Sequence, residues 1–236
     1  MRKLSMFIDS PKKNEQIKPI IGYYGYWVIL TYFSVISAVL GIHFALDGNI
    51  GYALICLMIS GVCDAMDGRV ARLKKRTDRE KSYGIQIDAL ADIISFGILP
   101  AVIGYASGPY YLTQNYGSFG ILINTVIFCM YLLAAVIRLA YFNVVETELQ
   151  TMNEKRIYYE GLPVTSVALI IPIIYSICAL FNSSLSVVYN ILLVLLSVAF
   201  VLRIKIPKPR GRAQIYLCLI GLPVIIYIFL FGGIKI

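Results

Sequence analysis

The sequence predicts an all-α protein: a polytopic transmembrane helix bundle of six core helices with a seventh towards the C-terminus and a cytoplasmic N-terminus. Three observations carry that reading. The 236 residues have a mean hydropathy of +0.77, with 59% hydrophobic and only 14% charged residues, whereas a soluble domain of this size carries about a quarter charged residues. Long apolar stretches recur from Trp27 to the C-terminal end. Nearly all basic residues fall in alternate connections between those stretches. Disorder is excluded by the same composition, because disordered chains are polar and poor in aromatic residues.

A hydrocarbon core about 30 Å thick requires roughly 20 apolar residues of helix. Seven stretches qualify: 27–46, 50–67, 85–106, 119–142, 162–181, 185–202 and 215–234. Pro100, Pro172 and Pro223 fall inside three of them, a placement that neighbouring helices in a bundle absorb. The division expected is a cytoplasmic or interfacial N-terminal segment over 1–25, a helical bundle over 26–202, and a basic loop with an added helix over 203–236. The first 25 residues are polar and basic, so no cleavable signal peptide is expected. Cys56, Cys63, Cys129, Cys178 and Cys218 form no CxxC pair and lie in or beside apolar runs. They read as free membrane-buried thiols.

Orientation follows from the basic residues. Arg2, Lys3, Lys12, Lys13 and Lys18 precede the first stretch. Arg69, Arg72, Lys74, Lys75, Arg76, Arg79 and Lys81 join the second to the third. Lys155 and Arg156 join the fourth to the fifth, and Arg203, Lys205, Lys208, Arg210 and Arg212 the sixth to the seventh. Of the 21 basic residues only Arg138, inside the fourth stretch, and Lys235 lie elsewhere. A basic surface on the cytoplasmic side attracts anionic membrane lipids or phosphorylated substrates, and it argues against nucleic acid. The expected location is the cell membrane, multi-pass, with any chemistry at the cytoplasmic face.

Carboxylates inside membrane helices are costly, by about 2.5–3.5 kcal/mol each at the centre of a span. Asp64 and Asp67 end the second stretch, and Asp88 and Asp92 fall in the first two turns of the third. Spacings of three and four put each pair on one helix face. The two helices are joined on the cytoplasmic side, so the pairs meet at similar depth. Four converging carboxylates repel one another unless something positive sits between them. Oxygen-only ligand sets suit magnesium, manganese or calcium, and bare carboxylate clusters also suit a metal pair, as used in displacement at phosphorus. Two other readings stand beside this one: helix-end caps paired with the adjacent Arg and Lys, and a cation or proton path in an ion-coupled transporter. Against the transporter, no matching group lies near the opposite side.

Small residues accompany the acids. Gly68 follows Asp67, Ala71 lies one turn on, and Gly84 precedes Asp88 by four. Such residues allow close helix approach and leave room for a nucleotide, while Arg72 offers a bidentate fork to phosphate. Ordinary helix packing is the plainer reading of each small residue taken singly.

The string Asp64-x-x-Asp67-Gly68-x-x-Ala71-Arg72, followed by Gly84-x-x-x-Asp88-x-x-x-Asp92, resembles the signature of the CDP-alcohol phosphotransferases, DxxDGxxAR…GxxxDxxxD. The spacer from Leu73 to Tyr83 is longer than the family's usual one. Within the family the chain is most similar to the phosphatidylserine synthases. The run at 95–101, SFGILPA, is similar to their SFGxxPA. The run at 138–143, RLAYFN, is similar to RLARFN, with Tyr141 in place of an arginine, and 159–163, YEGLP, is similar to FxGLP.

The resemblance implies that Asp64, Asp67 and Asp88 hold two divalent cations, Mg2+ or Mn2+, with Asp92 completing the second site. It also implies that Asp92 takes the proton from the attacking hydroxyl. Gly68 and Arg72 would contact a CDP-diacylglycerol-type lipid, with Ala71 beside them. Thr31 and Ser34 could reach the nucleotide, as polar residues near the start of the first helix do in relatives, though hydrogen bonding within the helix explains each equally well. Thr77 and Ser82 are further polar candidates in the spacer. An acceptor such as L-serine brings its own carboxylate; Arg138, with Asn143 five residues on, is the candidate cation for that carboxylate or for phosphate, and a snorkelling arginine is the alternative. The resulting expectation is transfer of L-serine onto a CDP-linked diacylglycerol or archaeol lipid with release of CMP, by a chain that dimerises as relatives commonly do. Glycerol phosphate or an inositol compound is the alternative acceptor. His43 lies towards the outer end of the first span and reads as packing, and Tyr23, Tyr24, Tyr26 and Trp27 as an interfacial aromatic belt.

Overall fold

The structure, a computed structural model, describes residues 21–71, 73–107, 109–152, 158–181, 185–207 and 212–231. Seven helices run through them: α1 (Ile29–Leu46), α2 (Ile50–Ala71), α3 (Asp78–Ser107), α4 (Pro109–Met152), α5 (Val167–Leu180), α6 (Leu185–Val201) and α7 (Arg212–Phe231). Tyr26–Leu46, Ile50–Ala71, Asp78–Ser107 and Gly117–Leu149 are long and apolar enough to cross a membrane. Shorter apolar helices, Val164–Leu180, Leu185–Val201 and Gly221–Leu230, complete a polytopic helical membrane protein.

Local chemistry sets the element ends. Gly48, at φ +78°, closes the tight turn from α1 to α2. Thr77 caps α3: its hydroxyl accepts from the Glu80 N–H at 3.3 Å, while the Glu80 carboxylate accepts from the Thr77 N–H at 2.9 Å. This reciprocal cap satisfies donors that the first turn leaves without partners. α4 is bent at Gly117 (φ 54°, ψ −139°), a conformation open to glycine.

The helices are longer on the basic side than the hydropathy pattern suggests. α2 runs four residues past Asp67 to Ala71, α3 starts at Asp78, and α4 continues to Met152. Asp64 and Asp67 therefore lie within α2 and not at its end. Asp88 and Asp92 sit in the third and fourth turns of α3, not the first two. Hydropathy reports where a helix is apolar, and a polar extension outside the bilayer is invisible to it.

Packing follows the membrane rule of small residues at helix contacts. Gly41 of α1 meets α2 so closely that an added Cβ would lie 2.9 Å from the Cys56 Cβ. Ser37 donates to the Cys56 carbonyl at 3.0 Å, and Ser60 to the Ser34 carbonyl at 3.1 Å. The core beyond them is built from Leu54, Leu57, Phe96, Leu99, Ile103, Tyr131, Ile171, Leu193 and Phe200. α4 and α6 are joined by a buried amide pair, Asn190 Nδ2 donating to Asn124 Oδ1 at 2.7 Å.

A feature the sequence does not announce ties two connections together. β1 (Tyr158–Glu160) pairs antiparallel with β2 (Lys205–Pro207), Tyr159 opposite Ile206. Beside this ladder the Gly161 N–H donates to the Ile204 carbonyl at 2.7 Å and the Leu162 N–H to the Ala199 carbonyl at 3.2 Å. The loop thus supplies one donor to a carbonyl in the last turn of α6 and another to the segment just beyond it.

Candidate active site

α1, α2 and α3 bring their polar residues together where α2 and α3 approach their connecting loop. One carboxylate oxygen from each of Asp64, Asp88 and Asp92 lies within 4.8 Å of the others. Asp67, 9% exposed, sits beside them: its Oδ2 accepts from Thr31 Oγ1 at 3.2 Å, and its carboxyl is a hydrogen-bond neighbour of Asp88. The spacings of three and four along two packed helices put all four on facing surfaces.

Two carboxylates about 5 Å apart at an effective dielectric near 20 repel by roughly 3–4 kcal/mol. Three such pairs exceed what a surface ion pair, worth about 0–1 kcal/mol, would offset. The ion pairs of Lys74 with Glu80 and of Lys81 with Asp78 lie on the loop and the start of α3, away from the four acids. The donor set is oxygen alone, half-buried, and drawn from rigid helices, which fits a hard divalent cation.

The other candidates divide by what surrounds them. Gly68 is exposed, and an added Cβ would meet nothing within 4 Å. No packing contact requires glycine there, so the open space beside the acids is what distinguishes this position. Ala71 is buried against Trp27 and Val28, and Gly84 faces the Arg76 guanidinium and the Trp27 ring, at 3.1 and 3.4 Å from an added Cβ. Both are packing positions at this end of the bundle. Arg72 lies outside the described residues. Thr77 is the α3 cap, and Ser82 is exposed on the same helix.

Thr31 and Ser34 are both buried and bonded between helices, not within α1. Thr31 holds Asp67, whereas the Ser34 hydroxyl lies 3.1 Å from Ser95 Oγ. Arg138 does not snorkel. It is 5% exposed, and its Nη2 donates to the Gly161 carbonyl at 3.1 Å, which anchors α4 to the loop docked on α6. Asn143 is half-buried on α4, and its backbone carbonyl accepts from Thr147 Oγ1 at 2.8 Å. His43 is exposed at the other end of α1, its Nε2 3.4 Å from Asp47 Oδ2.

Two residues take places that the sequence pattern does not suggest. Trp27 does not join an interfacial belt: it is 3% exposed, packed by Tyr23 and Tyr83, with Lys74 and Arg76 over its ring at 5.8 and 5.4 Å. It pins the loop between the two halves of the acidic motif. Glu146 acts electrostatically on Asp88 from α4. The signal for it was its eight-residue spacing from Arg138, which becomes one helix face only because α4 continues past Phe142.

A Saccharomyces cerevisiae protein named CDP-diacylglycerol–serine O-phosphatidyltransferase is 33% identical over 152 residues, covering 62% of this chain and 49% of that protein. A Methanocaldococcus jannaschii protein of the same name is 32% identical over 171 residues, 72% of this chain and 70% of that protein. An archaetidylserine synthase from Methanothermobacter thermautotrophicus is 30% identical over 183 residues, with 78% and 70% covered. The chain thus spans about half the length of the yeast relative and more of the archaeal ones. The sequence model of the CDP-alcohol phosphatidyltransferase family matches residues 28–204, a stretch holding all four aspartates, and the chain belongs to that family.

Proposed function

We propose that the protein is an integral membrane transferase that joins L-serine to a CDP-diacylglycerol-type lipid and releases CMP, acting at the cytoplasmic face of the cell membrane. The observation that carries this reading is the meeting of Asp64, Asp88 and Asp92 within 4.8 Å, inside the family match. The names of the three relatives point to serine as acceptor and to either a diacylglycerol or an archaeol lipid. The bundle over 26–202 is the catalytic unit in this reading, with 203–236 an addition to it.

Asp64, Asp67, Asp88 and Asp92 would hold two divalent cations, Mg2+ or Mn2+. Bound there, the cations would offset the charge of the CDP diphosphate and stabilise the departing CMP. Asp92 accepts the proton of the serine hydroxyl as the oxygen attacks the lipid-side phosphorus. Thr31 keeps Asp67 turned into the cluster, and the open space at Gly68 admits the nucleotide. Arg72 is the proposed phosphate ligand. Arg138, buried on α4 with Asn143 five residues on, is the proposed cation for the acceptor's carboxylate or for phosphate. The one-sided basic loops support a site at the inner leaflet. The resemblance extends the reading to a homodimer, which mass measurement of the detergent-solubilised protein tests.

Purified protein in detergent with CDP-diacylglycerol and Mn2+ should release CMP on addition of L-serine, and not with glycerol 3-phosphate or inositol. Release driven by one of those alcohols and not by serine would move the protein to another acceptor. Solute uptake into vesicles with no CMP release would identify a transporter.

A further inference from the structure

The run at 95–101 follows the last acid, and hydrogen bonds from three other helices reach its polar groups. Immediately after Asp92, α3 widens into a π turn over Ile93–Ile98, the Leu99 N–H reaching the Ile94 carbonyl. A π turn inserts about one residue, rotating everything beyond it by about 100° relative to an α-helix. Such a turn needs stabilising, because its backbone geometry is poorer than that of an α-helix.

Three helices supply that support. From α1, Ser34 Oγ lies 3.1 Å from Ser95 Oγ, and both side chains are buried, Ser95 fully. From α4, the Tyr131 hydroxyl donates to the Phe96 carbonyl at 2.6 Å. That carbonyl is the one whose partner in an α-helix would be the N–H of residue 100, and Pro100 has none. Tyr131 is itself fully buried, so its bond replaces a backbone bond that water cannot replace. Gly97 lets Leu132 of α4 approach to 3.1 Å of where a Cβ would stand. From α6, Tyr189 donates to the Pro100 carbonyl at 2.7 Å, two turns beyond Asp92.

We infer that Ser95 and Tyr131 are positioning residues: together they lock the widened turn of α3 and so fix the direction from which Asp92 enters the acidic cluster. The inference rests on the metal-centre reading above and adds to it two residues that touch neither metal nor substrate. Ser95 lies three residues past Asp92 and Ser60 four before Asp64, and both meet Ser34. This hydroxyl layer sits one turn below the acids and ties α1, α2 and α3 at a fixed separation. Losing the Tyr131 hydroxyl takes from the Phe96 carbonyl the bond that α4 supplies, and the turn relaxes with Asp92 attached to it.

The test compares Tyr131→Phe and Ser95→Ala with Tyr189→Phe, which deletes an equally buried bond farther from Asp92 on the same helix. Mn2+ binding to the full chain in detergent is followed by electron paramagnetic resonance, with thermal stability and CMP release measured beside it. Tyr131→Phe and Ser95→Ala should each weaken Mn2+ binding about tenfold, the lower end of the range for groups that hold metal ligands in place, although each acts through the α3 backbone and bonds no ligand itself. Both should lower kcat with little change in KM for the CDP-lipid. Tyr189→Phe should lower the melting temperature comparably while leaving Mn2+ affinity within about twofold. If Tyr131→Phe does not fold, Ser95→Ala alone decides by the same criterion. Equal loss of Mn2+ affinity in all three variants, or none in the first two, would overturn the inference. Failure of the unsubstituted protein to bind Mn2+ would overturn the metal-centre reading beneath it.

Discussion

The two ends of α3 differ in how the acids and one facing glycine are met, although the Thr77 cap and Gly84 near Asp78 are as fully engaged as the groups of the packed end. Towards Ser107 every polar group named above is bonded within the protein: Tyr189 to the Pro100 carbonyl and the Ser107 hydroxyl to the Ile103 carbonyl. Gly104 there is a packing necessity, since an added Cβ would lie 2.7 Å from the Tyr189 ring and 2.9 Å from that of Phe128. Towards Asp78 three carboxylates crowd within 4.8 Å, and a Cβ added at Gly68 on the facing helix would meet no neighbouring element within 4 Å. Satisfied groups and filled space mark what the fold needs. Crowded like charges and open space mark what a ligand would complete.

The largest effect expected on that contrast is chemical. Asp92→Asn should lower CMP release by about a thousandfold, within the range for a lost general base, while CDP-lipid binding in a filter assay stays close to the parent's. Asp64→Asn should weaken Mn2+ dependence and CDP-lipid binding together. Unchanged turnover in Asp92→Asn would remove it from the role of base.

At the packed end, Gly104→Ala forces the ring of Tyr189 aside, at a cost of about 1–3 kcal/mol read as a lower melting temperature in detergent. Gly161→Ala should cost a similar amount, about 1–3 kcal/mol, because Gly161 holds φ +81° with the Leu202 carbonyl oxygen 2.7 Å from where the Cβ would stand. The same substitution at Gly68 should behave in the opposite way. Glycine in a helix is worth about 0.5–1 kcal/mol less than alanine, so Gly68→Ala should hold or raise the melting temperature while CMP release falls. A Gly68→Ala protein that is destabilised but fully active would break the comparison.

The smallest effect is expected at the Asn124–Asn190 pair. Interhelical polar contacts in membranes average about 0.6 kcal/mol, so replacing Asn124 and Asn190 together by leucine, which leaves no buried amide unpaired, should shift the unfolding midpoint only slightly and leave turnover unchanged.

Much of the site was legible in sequence because its logic is local. Spacings of three and four on consecutive helices fix which carboxylates can meet, whatever the rest of the fold does. The seven apolar stretches were legible for a similar reason, since the bilayer sets their length. The ends of α2, α3 and α4 were not, because hydropathy falls where a helix leaves the membrane even though the helix continues. Glu146 was hidden by that effect. Trp27 was hidden by another: an aromatic residue beside a span reads as belt, and only the tertiary fold puts Lys74 and Arg76 over its ring. The β1–β2 ladder joins segments some 45 residues apart, and three-residue strands carry no periodicity long enough to detect. The roles of Ser34 and Thr31 turned on packing in the same way, since a hydroxyl near a helix start looks alike whether it faces a nucleotide or a neighbouring helix.

The most direct test is to locate Mn2+ by its anomalous scattering in crystals of the protein grown or soaked with the ion. The account predicts density among the carboxylates of Asp64, Asp67, Asp88 and Asp92, lost when Asp64 and Asp88 are both replaced by asparagine. Manganese bound elsewhere, with no density between α2 and α3, would contradict it.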